Sequence, residues 1–177
     1  LYYRGINWTF VPTTLLAQAD SCIGGKTAIN FKNYKNIIGS FYPPTNICIN
    51  LQFLETLNKA DYFSGLGEII KINIIKGKKN WQSFTKILPS LLDRNTNQLL
   101  AQIKSALKIK KYYIEKDEFD HHDRHLLNYG HTLGHALESV STYKITHGQA
   151  ITMGMILANR ISLQRKLLNN TDENFLR

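Results

Sequence analysis

The chain has 177 residues, enough for one domain or two small ones. Its 43% hydrophobic and 20% charged content lies well away from the composition of chains that stay unfolded, so a folded chain throughout is expected. A net charge of +9, from 22 Lys and Arg against 13 Asp and Glu, favours an anionic partner.

The basic residues are scattered, apart from short clusters such as Lys76, Lys78 and Lys79, or Lys108, Lys110 and Lys111. No zinc-finger spacing, aromatic RNA-binding motif or long basic arm accompanies them, so nucleic acid is not the expected partner. No run approaches the roughly 18 consecutive apolar residues of a membrane span, and the opening residues lack a basic-then-apolar signal pattern. No membrane partner is expected. Cys22 and Cys48 form no CxxC pair and are too few for a disulfide framework, which points to a reducing, cytoplasmic compartment. The first residue is Leu, and LYYRGINWTFVPTT runs straight into strand-like sequence, so residues upstream of Leu1 are expected.

In chain order, the first 55 or so residues alternate short β-branched and aromatic runs (Trp8 to Val11, Ile47 to Asn50) with turns at Pro12, Gly24-Gly25 and Pro43-Pro44. Beyond about Leu54 the pattern becomes helical. Leu66, Ile69, Ile70 and Ile74 recur at three- and four-residue spacing, as do Leu99, Ile103 and Leu107, and then Met153, Ile156, Leu157 and Ile161. The fold class expected is an α/β remnant over residues 1–54 followed by a mainly α-helical domain over residues 55–177.

Three segments carry residue types suited to chemistry. Asp20-Ser-Cys-Ile-Gly-Gly-Lys26-Thr27, with Lys35-Asn36 nine residues after Lys26, is similar to loops in which backbone N–H groups and an ammonium surround a phosphate. It is not a Walker A loop, because Asp20 stands where the first glycine belongs, and a plain glycine-rich turn explains it equally. In Ser64-Gly-Leu-Gly-Glu68-Ile-Ile-Lys71 the carboxylate of Glu68 sits in an apolar helix, where a charge must be paired or bind a metal. Lys71, one turn on, offers an ion pair as the alternative. In Asn128-Tyr-Gly-His131-Thr-Leu-Gly-His135-Ala-Leu-Glu138, followed by His147-Gly148, three of the six histidines fall within seventeen residues. Spacing alone pairs His131 with His135 on one helical face. Ordinary surface or core histidines are the alternative, although flanking glycines, each unfavourable in a helix by about 1 kcal/mol, argue for a close approach of ligand or backbone.

Together, in this order and spacing, these segments resemble the 3-dehydroquinate synthase family of sugar-phosphate cyclases. The resemblance runs from residue 3 to about residue 163 and is carried by Arg4-Gly5, Val11 to Gln18, Asp20 to Thr27, Lys35-Asn36, Thr56-Leu57, Gly65 to Lys71, Lys110, Asp117-Glu118, Arg124 to Glu138 and His147-Gly148. It implies an N-terminal α/β domain for NAD, a C-terminal helical domain for a divalent metal (Zn or Co), and an active site between them. It implies Glu68, His131 and His147 as metal ligands, in place of the His131–His135 pairing that spacing suggests, and assigns His135 to the substrate phosphate and to proton movement. Lys26, Asn36 and Asn128 resemble the phosphate-binding residues, and Arg4 an arginine that reaches this site from a neighbouring subunit of a homodimer. Lys110 and Arg124 match positions that hold the substrate carboxylate, Asp20 and Lys71 match residues near the sugar hydroxyls, and Thr13, Thr14, Lys35 and Thr56 fall at positions used around the cofactor, with Asp20, Lys26 and Asn36 close to it.

The implied reaction converts 3-deoxy-D-arabino-heptulosonate 7-phosphate to 3-dehydroquinate and phosphate, a carbon–oxygen lyase step of the shikimate pathway of aromatic amino-acid biosynthesis. A small phosphorylated carboxylate as partner fits the basic inventory. The resemblance also implies that a glycine-rich cofactor segment lies before Arg4 and further helices, with another lysine, beyond the last residue, so the chain is expected to be truncated at both ends. Asn58-Lys59-Ala60-Asp61, Gly67 and Gln149 depart from the usual family text without touching a mapped metal or phosphate residue. Competing readings are a 2-deoxy-scyllo-inosose or valiolone-type synthase, a metal-dependent alcohol or glycerol dehydrogenase, and an inactive fragment. Retention of both Lys110 and Arg124 favours a carboxylated substrate.

Overall fold

In the computed structural model, residues 5–32 and 34–176 are described, apart from the side chains of residues 30, 34–36, 173 and 175. Arg4 and the side chains of Lys35 and Asn36 therefore lie outside the described residues. The first part of the chain holds two small sheets. Strand β1 (Thr9–Phe10) pairs in parallel with β4 (Asn46–Ile47), and β2 (Lys26–Phe31) forms an antiparallel hairpin with β3 (Tyr34–Phe41). The parallel pair is extended at both ends by Thr45 N–H donating to the Trp8 carbonyl and Cys48 N–H to the Phe10 carbonyl, each at 2.9 Å. A parallel ladder requires a crossover between its strands, which is the connectivity of an α/β unit.

Six α-helices follow among the described residues: α1 (Lys59–Ile75), α2 (Lys78–Leu92), α3 (Thr96–Lys116), α4 (His131–Val140), α5 (His147–Gln164) and α6 (Asn170–Leu176). The periodic runs read from the sequence fall within α1, α3 and α5. The helix starts are set by capping: Asn58 Oδ1 accepts the Asp61 N–H at 2.9 Å and Asn95 Oδ1 the Gln98 N–H at 3.1 Å. At α5, Thr146 and Gln149 form a capping box, in which Gln149 Oε1 accepts the Thr146 N–H at 3.4 Å. None of these helices is long and apolar enough to cross a membrane.

Helix α1 runs through the centre and is buried on most of its circumference. Tyr62, Leu66 and Ile69 join Phe84 and Leu91 of α2 and Leu99 and Ile103 of α3 in the main core. Tyr62 Oη donates to the Leu91 carbonyl at 2.6 Å, and the Arg94 guanidinium lies over its ring, 4.5 Å from the centroid. Upstream, Gln18 is fully buried and its Nε2 donates to the Pro12 and Asn50 carbonyls at 3.2 and 2.8 Å. That bond ties the π-helical turn Ala17–Ser21, which carries Asp20, to the loop ahead of α1.

Glycines set the distances between α1, α4 and α5. A Cβ on Gly148 would run into the Ser64 carbonyl, and one on Gly67 into the Gly148 carbonyl. Gly148 N–H instead donates to Ser64 Oγ at 2.9 Å. Gly154 meets the backbone of Gly130 and Gly134 in the same way, so α4 lies directly on α5. The glycines around the histidine trio thus serve backbone approach. Gly148→Ala is expected to destabilise the chain by about 1–3 kcal/mol, the range for overpacking, and to lower metal affinity by pushing His147 away from α1. Urea unfolding and metal titration of the same variant check both.

Candidate active site

Glu68 lies mid-way along α1, while His131 and His147 are the first residues of α4 and α5. The close α1–α5 contact brings them together: one ligand atom from each lies within 4.8 Å of the others. His147 Nε2 is 3.3 Å and His131 Nε2 3.9 Å from Glu68 Oε1. Glu68 is 1% exposed, and neither of its oxygens accepts a hydrogen bond of regular geometry. The Lys71 ammonium makes an ion pair with Oε2. Burial alone would raise the Glu68 carboxyl, but the Lys71 ammonium beside it holds it well below the ordinary carboxylate range.

Burial and the Lys71 ammonium push the His131 imidazole down to about 4, against the opposing pull of Glu68. A buried carboxylate with unsatisfied oxygens beside a neutral imidazole and a second imidazole is a donor set that fits a divalent ion such as Zn²⁺. The depressed His131 also sets a pH dependence. Below its ordinary value of 6.5 the unfolded chain takes up a proton that the folded chain refuses until about 4, so stability falls as pH drops through that window. The metal-free unfolding midpoint is expected to decline between pH 6.5 and 5, and less steeply in His131→Asn, which melting curves at several pH values would read.

His131 and His147, but not the buried Glu68, line a cavity of about 550 Å³, together with Asp20, Lys26, Lys71, Lys110, Asp120, Arg124, Asn128, His135 and Tyr143. Each cation has an internal partner. Lys26 Nζ is 2.6 Å from Asp120 Oδ2, and Lys110 Nζ lies 2.9 Å from Asp20 Oδ1 and 2.7 Å from the Asp20 carbonyl. The Arg124 guanidinium, buried at 3% exposure, donates through Nη2 to the Gly24 carbonyl at 3.0 Å and through Nη1 to the Glu118 carbonyl. Asp117 organises that loop, its carboxylate accepting the N–H groups of His121, His122 and Arg124 at 2.9, 2.6 and 3.1 Å. Although burial opposes it, these three donors hold the Asp117 carboxyl at about 2.

The two-glycine segment is the turn into β2. Gly24 has φ +105° and Gly25 φ +67°, and a Cβ on Gly24 would meet Arg124 Nη2. The expected phosphate and hydroxyl residues Asp20, Lys26, Lys71, Asn128 and His135 therefore share one cavity with the expected carboxylate residues Lys110 and Arg124. The expected cofactor residues Thr13, Thr14 and Thr56 do not line it. Thr13 and Thr56 are exposed, and Thr14 Oγ1 accepts the Ala17 N–H at 3.1 Å. The sequence reading assigned no role to Asp120, Glu138 or Tyr143. Only Glu138 carried a signal, its i,i+3 spacing from His135.

A family model described as 3-dehydroquinate synthase N-terminal matches residues 1–64, and one described as 3-dehydroquinate synthase C-terminal matches residues 65–176. The chain belongs to the 3-dehydroquinate synthase family. It is 43% identical over 172 residues to the 3-dehydroquinate synthase of Streptococcus equi subsp. equi (strain 4047), covering 97% of this chain and 47% of the relative. It is 42% identical over 170 residues to that of Dictyoglomus turgidum (strain DSM 6724 / Z-1310), covering 96% of this chain and 48% of the relative. The chain thus spans about half the length of the curated relatives it matches.

Among solved structures, 2-epi-5-epi-valiolone synthase from Streptomyces hygroscopicus subsp. jinggangensis 5008, with NAD⁺ and Zn²⁺ bound, superposes with a TM-score of 0.89 at 26% identity over 99% of this chain and 49% of its own. A 2-deoxy-scyllo-inosose synthase complexed with carbaglucose-6-phosphate, NAD⁺ and Co²⁺ superposes with a TM-score of 0.85 at 26% identity over 99% of this chain and 48% of its own. The expected fold class, an α/β remnant followed by a mainly helical domain, is therefore that of 3-dehydroquinate synthases and related cyclases. Within that family frame, the two models meet inside α1, between Ser64, which holds Gly148, and Glu68.

Proposed function

We propose that this chain carries the metal- and phosphate-binding half of an enzyme that converts 3-deoxy-D-arabino-heptulosonate 7-phosphate to 3-dehydroquinate and phosphate, an NAD- and metal-dependent lyase of the shikimate pathway in the cytoplasm. The observation that carries the reading is the convergence of buried Glu68 on His131 and His147, the two histidines lining a cavity that also receives Lys26, Lys110 and Arg124. In this reading residues 1–54 complete the NAD-binding domain and residues 55–177 belong to the metal- and substrate-binding domain.

Glu68, His131 and His147 hold a divalent ion, Zn²⁺ or Co²⁺, which when bound supplies Lewis-acid polarisation of a substrate hydroxyl, while NAD supplies the hydride acceptor. The chain's own groups bind and orient. Lys26, Asn128 and His135 surround the phosphate, joined by Asn36 and by Arg4 of a second subunit. Lys110 and Arg124 face the carboxylate, and Asp20 and Lys71 the ring hydroxyls. Because Lys26 and Lys110 already sit against Asp120 and Asp20, the anionic substrate meets cations fixed in advance, and electrostatic positioning carries much of the effect. Thr13, Thr14, Lys35 and Thr56 take the cofactor, in company with Asp20, Lys26 and Asn36.

A homodimer is part of the reading, supported by exposed apolar side chains on the β2–β3 hairpin, such as Ile29 at 63% and Ile37 at 59% exposure. Sedimentation equilibrium tests it. A related cyclase acting on another sugar phosphate is the second reading, favoured by the close superposition on the valiolone and inosose synthases. Phosphate release from the heptulosonate phosphate, glucose 6-phosphate and sedoheptulose 7-phosphate, measured with a full-length protein carrying this sequence, separates the two. Failure to release phosphate from any of them overturns both.

A further inference from the structure

Glu138, in the last half of α4, is a carboxylate at 5% exposure to which none of the roles above has been given. Its Oε2 lies 2.7 Å from Nδ1 of His135 and its Oε1 3.3 Å from Nδ1 of His147. A carboxylate only accepts, so each Nδ1 carries a proton and donates it. In a neutral imidazole that leaves Nε2 as the lone-pair nitrogen, and on His147 this is the atom turned toward Glu68 Oε1, at 3.3 Å.

We propose that Glu138 is a positioning residue that fixes the tautomer and ring orientation of His135 and His147 together, presenting the lone pair of His147 Nε2 to the cation site. The inference rests on reading Glu68, His131 and His147 as the ligand set. Its physical basis is that the two rings stand on different helices. His135 shares α4 with Glu138, whereas His147 opens α5, so one carboxylate ties the start of α5 to α4 at the point where the cavity needs both rings fixed. Two oxygens accepting from two Nδ1–H donors is an arrangement that only a carboxylate completes. A carboxamide in its place has one accepting oxygen and turns N–H donors on the other ring, which must then rotate or change tautomer. A partner of this kind on the distal nitrogen of a ligating histidine raises its basicity and sets its aim.

His135, Glu138 and His147 also have ligand atoms within 4.8 Å of one another, so the rival account makes Glu138 itself a ligand of a second ion. The test uses the 177-residue chain and Glu138→Gln. Long-range ¹⁵N–¹H spectra of the metal-free wild-type chain at pH 8 should show both His135 and His147 as the Nδ1–H tautomer, and E138Q should convert at least one ring. Titration with Co²⁺ should saturate at one ion per chain in both proteins, with affinity lowered in E138Q by about 10–100-fold and the visible Co²⁺ band altered.

An Nε2–H tautomer at His147 in the wild-type chain would overturn the proposal, whether or not E138Q folds. So would a Co²⁺ affinity in folded E138Q within about twofold of wild type, or a second Co²⁺ in the wild type that E138Q removes. If the wild-type chain took up no Co²⁺ at all, the ligand reading would fall instead, and the tautomer spectra would still decide whether Glu138 orients the rings.

Discussion

Lys71→Met is expected to destabilise the metal-free chain by about 3–5 kcal/mol, and saturating Co²⁺ or Zn²⁺ to restore most of that loss. Glu68 and Lys71 sit one helical turn apart at 1% and 3% side-chain exposure. In the metal-free chain the ammonium is what makes a carboxylate tolerable among Leu66, Ile69 and Ile72. Removing it leaves a buried anion with two unsatisfied oxygens and only imidazoles beside it. A divalent ion placed between Glu68, His131 and His147 replaces the lost cation. Ligand at about 1,000 times its dissociation constant contributes about 4 kcal/mol, enough to offset the defect.

The reciprocal variant separates pairing from coordination. Glu68→Gln leaves the Lys71 ammonium buried without its partner, so a loss of similar size is expected, but no metal should recover it because a ligand has gone. Replacing both residues by Leu removes the pair without stranding a charge and should lie near wild-type stability. Urea unfolding of the three variants with and without Co²⁺ reads the whole pattern. A K71M chain as stable as wild type, or one that Co²⁺ leaves unchanged, would remove the argument for a cation at this place.

The parts of this architecture visible in the sequence are those determined locally. Leu66, Ile69 and Ile74, or Leu99, Ile103 and Leu107, repeat at helical spacing because each set buries one stripe, so α1 and α3 could be read directly. Helix α2 is amphipathic through Trp81, Phe84 and Leu91, but Lys78, Lys79 and Asn80 at its start and Pro89 near its end leave it without a long apolar run of its own in the sequence. The β2–β3 hairpin was hidden for another reason. Ile29, Phe31, Ile37, Ile38 and Phe41 are all exposed, so no alternation of buried and solvated positions marks it.

At the site, spacing favoured His131 with His135, and those rings are indeed neighbours, 5.2 Å apart. The group that shares Glu68 with His131 is nevertheless His147, brought there by the glycine contact between α1 and α5, which no local periodicity encodes. Only the family resemblance singled it out. Asp120 was illegible for the same cause, since its partner Lys26 lies 94 residues earlier in the chain.

Arg124→Lys is expected to lower stability by about 1.5–3 kcal/mol, the range for a hydrogen bond involving a charged group, and Arg124→Ala by about twice that. The guanidinium reaches carbonyls on two separate segments, Gly24 at the turn into β2 and Glu118 beyond α3. A planar fork can serve both at once, while the point-like ammonium of Lys can serve one. The loss should appear in urea unfolding without any substrate, which reads the clamp separately from the carboxylate contact proposed for the same guanidinium. A second consequence follows along the chain. Lys26 stands two residues beyond Gly24 and meets Asp120 two residues beyond Glu118. Releasing the clamp therefore loosens both sides of that ion pair, and R124K should weaken inorganic phosphate binding at the cavity as well as the fold. If R124K kept wild-type stability and lost affinity for carboxylated ligands alone, the ties of Arg124 to the two carbonyls would contribute nothing, and the coupling between the glycine turn and the cavity would have to be abandoned.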